Sequence, residues 1–132
     1  MPAFSVTTQV SGGGLTIAPD GTLILQEDPG NFAAAAKMWH YDPTTDKLTE
    51  IARFDSARFG DTGIAPTAPF TVDEETSGVI DVTDLFKDAP WFRPNARVLL
   101  LVVQAHFAYD LALPAGAQLV EGGQLLLMVK AG

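Results

Sequence analysis

Two adjacent carboxylates, Glu27 and Asp28, end the apolar stretch LILQED and precede a Pro-Gly turn and Asn31. Hard cations such as calcium take about six to eight oxygen ligands from carboxylates, Asn side chains and backbone carbonyls. The pattern therefore predicts a cation site at the end of a strand. The alternative is a solvated strand end, because successive strand residues point to opposite faces and only a bend would bring both carboxylates to one centre.

A second acidic cluster lies at Asp73-Glu74-Glu75, directly before the residues TSG. Neighbouring like charges disfavour each other's ionised form when no counter-ion is present. Glu74 and Glu75 are therefore candidate metal ligands, and an ordinary charged loop is the alternative.

The two histidines differ in their surroundings. His106 ends the apolar run VVQAH, and a neutral imidazole can act as a ligand or general base because it both donates and accepts hydrogen bonds. The alternative for His106 is a hydrogen-bonded residue at the boundary of the core. His40 lies between Trp39 and Tyr41 and is predicted to be exposed, since it points away from both aromatic rings.

Other kinds of catalytic site find little support in the residues. The chain has no cysteine, which excludes disulfides, thiolate metal sites and a cysteine nucleophile. It also lacks the Gly-x-Ser-x-Gly elbow, the HExxH motif, the P-loop and the Rossmann fingerprint. Phosphoryl chemistry calls for cationic clamps beside a metal. The arginines, at positions 53, 58, 93 and 97, do not cluster with the acidic motifs in sequence.

Composition narrows the choice of partner. The 132 residues carry a formal net charge of -8, which argues against nucleic acid and against anionic membrane surfaces. The N-terminal segment has no basic region followed by an apolar run, so it predicts neither a signal peptide nor a membrane anchor. The length suits a single domain.

Short apolar and β-branched runs separated by Gly, Pro and Asp predict an all-β protein of about eight short strands. The strands are expected at 4–10, on either side of Pro19-Asp20-Gly21, at 37–42 and 48–54, at 78–81, at 98–107 and in the final GQLLLMVKA. The polar turn DPTTDK predicts a hairpin of the kind found in propeller blades. Residues 55–71 are expected to form a long loop, and residues 82–87 a short helical turn capped by Asp81. The strand at 98–107 lacks clean alternation, so both of its faces are expected to be covered.

Five segments, taken in order, resemble the C-terminal part of the PhoX-type alkaline phosphatases and their uncharacterised relatives. They are PDGTLILQEDPGN, KMWHYDPTTDKLTEIARFD, DEETSGVID, LLVVQAHF and LVEGGQLLLM. The resemblance covers most of residues 15–129.

This resemblance implies a piece of a β-propeller from exported, calcium-dependent phosphoesterase-like proteins that also use iron. Glu27 and Asp28 fall on the family's Gln-Glu-Asp, Glu74 and Glu75 on its acidic Ser-Gly motif, and His106 on its Gln-Ala-His strand. These five residues are the expected metal ligands. The cysteine associated with the family's metal centre has no counterpart, and 132 residues hold at most two blades.

The expected architecture is thus a single β domain over 1–132, with a blade-like unit at 1–54, the loop at 55–71 and a second unit at 72–132. Two blades cannot close a ring, so self-association or the remainder of a propeller is expected to cover the open strand edges. Three functions follow as hypotheses. They are a calcium-binding, propeller-derived domain without catalysis of its own, a metal-dependent phosphomonoesterase that acts on phosphate esters as an oligomer or within a larger chain, and a structural or protein-binding β module.

Overall fold

The computed structural model describes residues 12–30, 33–106 and 122–131 of the chain. These residues form seven strands and two one-turn helices: β1 (Gly12–Ile17), β2 (Leu23–Glu27), β3 (Lys37–Asp42), β4 (Lys47–Arg53), α1 (Ser56–Phe59), β5 (Glu75–Asp81), α2 (Thr83–Phe86), β6 (Arg97–Ala105) and β7 (Gly122–Lys130). The prediction of an all-β protein is confirmed, and the number of blades stays a prediction. The predicted strand at 4–10, Asn31 and Phe107, the last residue of the predicted strand at 98–107, lie outside the described residues.

Sheet one is an antiparallel meander in the order β1-β2-β3-β4. The hairpin predicted from DPTTDK is confirmed, with β3 and β4 paired on either side of it. Asp42 holds this turn, because its carboxylate accepts hydrogen bonds from the Thr44 N–H and from the hydroxyls of Thr44 and Thr45. The same bonds, led by that of the Thr44 hydroxyl, lower the pKa of Asp42 to about 2.

Sheet two is antiparallel in the order β5-β6-β7. β6 and β7 pair without interruption from Arg97 opposite Lys130 to Ala105 opposite Gly122. β5 is longer than predicted, and its register shifts by a bulge between Ser77 and Ile80. Gly78 lies in that bulge with a φ of +57°, a left-handed conformation that favours glycine.

The core lies between the two sheets. Ile24, Met38, Val79, Leu99 and Leu101 form one buried cluster that draws on β2, β3, β5 and β6. β1 and β2 pack on β5, so the sheets are closest on that side. The expectation that both faces of β6 are covered holds only for part of the strand, because Val102 is exposed on the outer face.

The segment expected to be a long loop, 55–71, contains regular structure that the sequence did not predict. Asp55 caps α1 by accepting a hydrogen bond from the Ala57 N–H. The ring of Phe59 packs at a steep angle against the rings of Phe54 and Phe70, with centroids 5.0 and 4.9 Å away. The expectation of an irregular loop is therefore wrong at Ser56–Phe59, because the rings of three separated aromatic residues hold the segment together.

The helical turn predicted at 82–87 is confirmed as α2. Asp81 contributes as expected, since its carboxylate accepts a hydrogen bond from the Thr83 N–H at 2.9 Å. The capping position itself is Val82, one residue later, so Asp81 acts from just before the helix. Within the described ranges, no helix is long and apolar enough to cross a membrane.

Candidate functional site

The predicted metal ligands lie at one end of the molecule, which we call the motif end. Two contacts align the sheets: the Val79 N–H donates to Gln26 Oε1 at 3.2 Å, and Arg97 at the start of β6 is paired with Asp20 just before β2. Because neighbouring strands are antiparallel, β2 and β6 end, and β5 begins, at this same end. The motif end therefore carries Glu27, Asp28, Glu74, Glu75 and His106.

Glu27 joins β2 to β3. Its Oε2 accepts a hydrogen bond from the Lys37 N–H at 2.9 Å, and its Oε1 accepts one from Trp39 Nε1 at 2.7 Å. The side chain thus continues the β2–β3 pairing beyond Gln26, where the backbone ladder stops. Both carboxylate oxygens of Glu27 serve the fold.

Asp28 shapes the turn that follows β2. Its Oδ1 accepts a hydrogen bond from the Gly30 N–H at 3.0 Å, the short-range bond typical of an Asp-initiated turn. Gly30 has a φ of +50°, which lets the chain reverse there. The described contacts of Asp28 are therefore local ones.

Glu74 is almost fully buried, with 1% of its surface exposed. Its carboxylate accepts hydrogen bonds from the Thr71 hydroxyl at 2.5 Å and from the Thr71 N–H at 3.2 Å to each oxygen. A buried carboxylate needs such donors, because burial removes the hydrogen bonds of water. Glu74, the residue before β5, therefore holds the end of the 55–71 segment in place through Thr71.

Glu75 and His106 are brought together by the sheet. Glu75 lies opposite Gln104 in the β5–β6 ladder, and His106 directly follows β6. The distance from His106 Nε2 to Glu75 Oε1 is 4.0 Å, and both side chains are partly buried. An imidazole beside a carboxylate can exchange a proton with it or share a cation with it. Among the predicted ligands in the described part of the chain, this is the one pair whose side-chain nitrogen and oxygen lie within 4.0 Å of each other.

The residues present do not fit a calcium or iron centre as a set. In the described part of the chain, no group of three or more His, Asp or Glu side chains is placed to hold a metal ion. The oxygens of Glu27 and Glu74 are occupied by N–H and O–H donors, whereas calcium requires many oxygens directed at one point. The five predicted ligands therefore lie at the motif end, but they do not form one group around a shared point.

Gln26 has a structural role between the two sheets that the sequence did not reveal. Its side chain is fully buried, and its Oε1 receives the Val79 N–H that the β5 bulge removes from the ladder. Gly14 makes room for it, since a Cβ there would lie 2.7 Å from Gln26 Oε1. Gln26 thereby joins the QED segment to the ETSGVID segment. The available signal was a lone amide within an otherwise apolar strand.

A second polar cluster, at the opposite end of the molecule, surrounds Arg97. The Arg97 guanidinium is paired with Asp20, donates to the Thr22 hydroxyl at 3.0 Å and lies 3.5 Å from Asp81. The pKa of Asp20 is lowered, chiefly by the hydrogen bond from the Thr22 hydroxyl. Arg97 therefore links the β1–β2 turn to sheet two, and its position near the ETSGVID segment was not visible from sequence spacing.

His40 is partly buried, so the prediction that it is exposed is wrong. Its Nε2 is buried and has no hydrogen-bond partner among the described residues. Burial is the main cause of the lowered pKa of His40, and the positive charges of Arg97 and Lys130 add to it. His40 is partly buried because the second sheet covers the face of β3 that carries His40 and Met38.

An apolar cleft of about 480 Å³ opens between the sheets on the side of β4 and β7. Met38, Ala52 and Phe54 line one wall, and Leu101, Leu126 and Met128 line the other. The sheets pack closely at β1, β2 and β5 and separate towards β4 and β7. The side chains of β7 that face the cleft, among them Leu126 and Met128, are thus only partly covered.

β7 is an apolar edge strand with both faces exposed to some degree. Leu125 is 69%, Val129 50%, Leu127 44% and Leu126 39% exposed. Its one strand neighbour in the described sheet is β6. On the outer face, Val102 of β6 and Ile80 of β5 are also exposed and extend the apolar surface of β7.

Comparison with known proteins yields no match of this chain to a family model, to a curated protein or to a solved structure.

Proposed function

We propose that the protein is a non-catalytic β module, related to the C-terminal propeller portion of PhoX-type phosphatases, that joins other β structure through β7. The observation that carries this proposal is β7, an exposed apolar strand whose one neighbour among the described strands is β6. Bare edges of this kind are templates for strand addition, in which main-chain hydrogen bonds supply affinity and alternate side chains supply specificity. The acidic motifs would then serve to stabilise the fold of the module.

The geometry of the acidic residues supports the non-catalytic part of the proposal. Glu27, Asp28 and Glu74 each accept hydrogen bonds from nearby backbone or side-chain donors. Arg53, the arginine that ends β4 at the motif end, is bound to Glu50 by two hydrogen bonds of 2.6 and 2.9 Å. It is therefore engaged within its own strand, rather than directed at a phosphate group.

Two of the segments that resemble PhoX-type proteins contact each other where the two sheets meet. Gln26, from the Gln-Glu-Asp segment, accepts the N–H of Val79, from the acidic Ser-Gly segment. A hydrogen bond between two segments that are far apart in the chain therefore helps to hold the two sheets together. Sheet one is also a four-stranded antiparallel meander, the unit from which propeller blades are built.

Strand addition is tested with a blocked peptide of alternating threonine and valine, titrated in excess against the purified protein. We expect the peptide to raise the melting midpoint, because a ligand that binds the native state stabilises it. Amide hydrogen exchange should slow at residues 122–130. A peptide with proline in place of each valine is the matched control, since it cannot donate the ladder hydrogen bonds. Protection confined to other strands, or no change in midpoint, contradicts the proposal.

A separate melt tests the alternative function, a calcium-binding domain, against the non-catalytic β module proposed above. We expect the melting midpoint to be the same in calcium and in chelator, and we expect no hydrolysis of a phosphomonoester with calcium and iron present. A calcium-dependent rise that disappears in Glu75→Gln would instead favour a cation site at the Glu75–His106 pair. Turnover of the phosphomonoester would favour the phosphoesterase hypothesis.

A further inference from the structure

We propose that the cleft between β4 and β7 binds an uncharged apolar molecule that carries one hydroxyl or carbonyl group, such as a medium-chain alcohol. This goes beyond the proposed function, which concerns strand addition at β7. The volume of the cleft, about 480 Å³, lies within the range of roughly 300–1,000 Å³ that is usual for small-molecule sites. Such sites are mostly apolar and contain a few polar groups that fix the orientation of the ligand.

The walls of the cleft are apolar and can adapt to the shape of an occupant. Met38 of β3 and Met128 of β7 line it from the two sheets, and Phe54 and Phe59 line it next to α1. Methionine side chains are flexible and fit irregular apolar surfaces well. Leu126 of β7 lines the cleft as well and is 39% exposed, so an occupant would remove apolar surface from water. These walls therefore favour a ligand with a hydrocarbon body.

Thr76 supplies a polar group that lacks a partner. It belongs to β5, the strand of sheet two that packs on β1 and β2, so it lines the cleft on its closed side. Thr76 is 9% exposed, and its Oγ1 is buried without a hydrogen-bond partner within the described part of the chain. A buried hydroxyl without a partner is unfavourable, because it has lost its hydrogen bonds to water. One oxygen of a ligand at the closed side of the cleft would satisfy it.

The charged side chains that line the cleft do not favour an ionic ligand. They are Arg53 and Asp55, which carry opposite charges. Nε and Nη2 of Arg53 donate hydrogen bonds to Glu50, and the Asp55 carboxylate accepts one from the Ala57 N–H. Both groups are thus engaged within the chain, and an ionic group without a partner of opposite charge is costly to bury in apolar surroundings. The ligand is therefore an uncharged molecule.

Isothermal titration calorimetry with octanol tests the proposal, and octanoate at neutral pH is the comparison, since it has the same chain length but is ionised. Thr76→Val removes the hydroxyl and keeps the branched shape of the side chain. Leu126→Trp fills the cleft from β7, and Ala52→Leu narrows it from the other wall, so the test does not depend on the folding of one variant. Leu125→Trp is the matched control, because Leu125 is the neighbouring residue on the outer face of β7 and is 69% exposed.

We expect saturable binding of octanol to the wild type and no binding of octanoate at the same concentrations. Thr76→Val should weaken octanol binding about three- to tenfold, the effect of one hydrogen bond, without lowering the melting midpoint of the free protein. Leu126→Trp and Ala52→Leu should weaken binding further, and Leu125→Trp should bind as the wild type does.

Four results would each overturn the proposal. They are the absence of saturable octanol binding, equal binding of octanoate, wild-type affinity in Thr76→Val or in both cleft-filling variants, and a loss of binding in Leu125→Trp as large as that in Leu126→Trp. A lower melting midpoint for free Thr76→Val would also count against it, since the hydroxyl would then have a partner within the protein. The threonine–valine peptide tests strand addition at β7 separately, so either proposal can fail alone.

Discussion

Removal of the Glu27 carboxylate tests whether this residue holds the fold or a metal. Glu27 accepts one hydrogen bond from the Lys37 N–H and one from Trp39 Nε1. In Glu27→Gln the amide group keeps one acceptor oxygen and turns an N–H₂ group towards a donor. One hydrogen bond is therefore lost, and the other loses its charge assistance.

Hydrogen bonds to charged groups contribute about 1.5–3 kcal/mol each to stability, and less where water can replace them. Glu27 is partly exposed, so we expect Glu27→Gln to cost about 1–2 kcal/mol of the free energy of unfolding. For a domain of this size, each kcal/mol lost lowers the melting midpoint by about 3–5 °C. Asp28→Asn is the matched control, because it removes an adjacent charge but keeps an acceptor for the Gly30 N–H. It should change stability by about 0.5 kcal/mol or less.

A double-mutant cycle isolates the bond between Glu27 and Trp39. Trp39→Phe removes the Nε1 donor, and its loss of packing cancels when the single and double variants are compared. We expect a coupling free energy of about 1 kcal/mol, measured by urea unfolding followed by far-ultraviolet circular dichroism in chelator. A coupling near zero refutes the structural role. Equal losses in Glu27→Gln and Asp28→Asn that appear only with calcium would show a cation site instead.

Three further predictions concern charge and backbone conformation. Arg97→Met should lower the free energy of unfolding by about 2–3 kcal/mol in urea unfolding, because it leaves the largely buried Asp81 carboxylate without its counter-ion. Arg58→Met is the control and should cost less, since it removes a guanidinium that lies over the ring of Phe70. The lowered pKa of His40 means that the unfolded chain binds a proton more readily. Stability should therefore be complete above the unfolded pKa of 6.5 and should fall as pH drops below it, and His40→Gln should abolish that slope in chemical unfolding from pH 7 to about 5. Gly78→Ala should cost about 1 kcal/mol or more in the same assay, since alanine is strained at a φ of +57°, although the space around it is open; a neutral result would contradict the role given to the β5 bulge.

Local patterns in the sequence were sufficient for the β3–β4 hairpin and for α2. The β3–β4 hairpin follows from Asp42-Pro43 and the polar turn, because the stabilising bonds of Asp42 reach only two and three residues along the chain. α2 follows in the same way from Asp81. α1 was missed, because its local signal, Asp55 as a cap, is reinforced by aromatic contacts with Phe70, eleven residues beyond Phe59.

The candidate site shows the opposite balance. The acidic residues could be selected from sequence, but their hydrogen-bond partners could not. Glu27 is bound by donors ten and twelve residues away, and Gln26 by an N–H fifty-three residues away. His40 was assigned to solvent because alternation within one strand identifies two faces without showing which of them a second sheet covers.

An acidic, all-β protein with carboxylates at its strand ends could be predicted from the residues alone, because alternation, turn chemistry and charge are properties of neighbouring residues. The donors that those carboxylates meet and the face of β3 that is buried became known only from the fold. These outcomes depend on how two sheets pack, and contacts between residues distant in sequence control that packing. The carboxylates of LILQED are thus explained by the N–H groups of Lys37, Trp39 and Gly30.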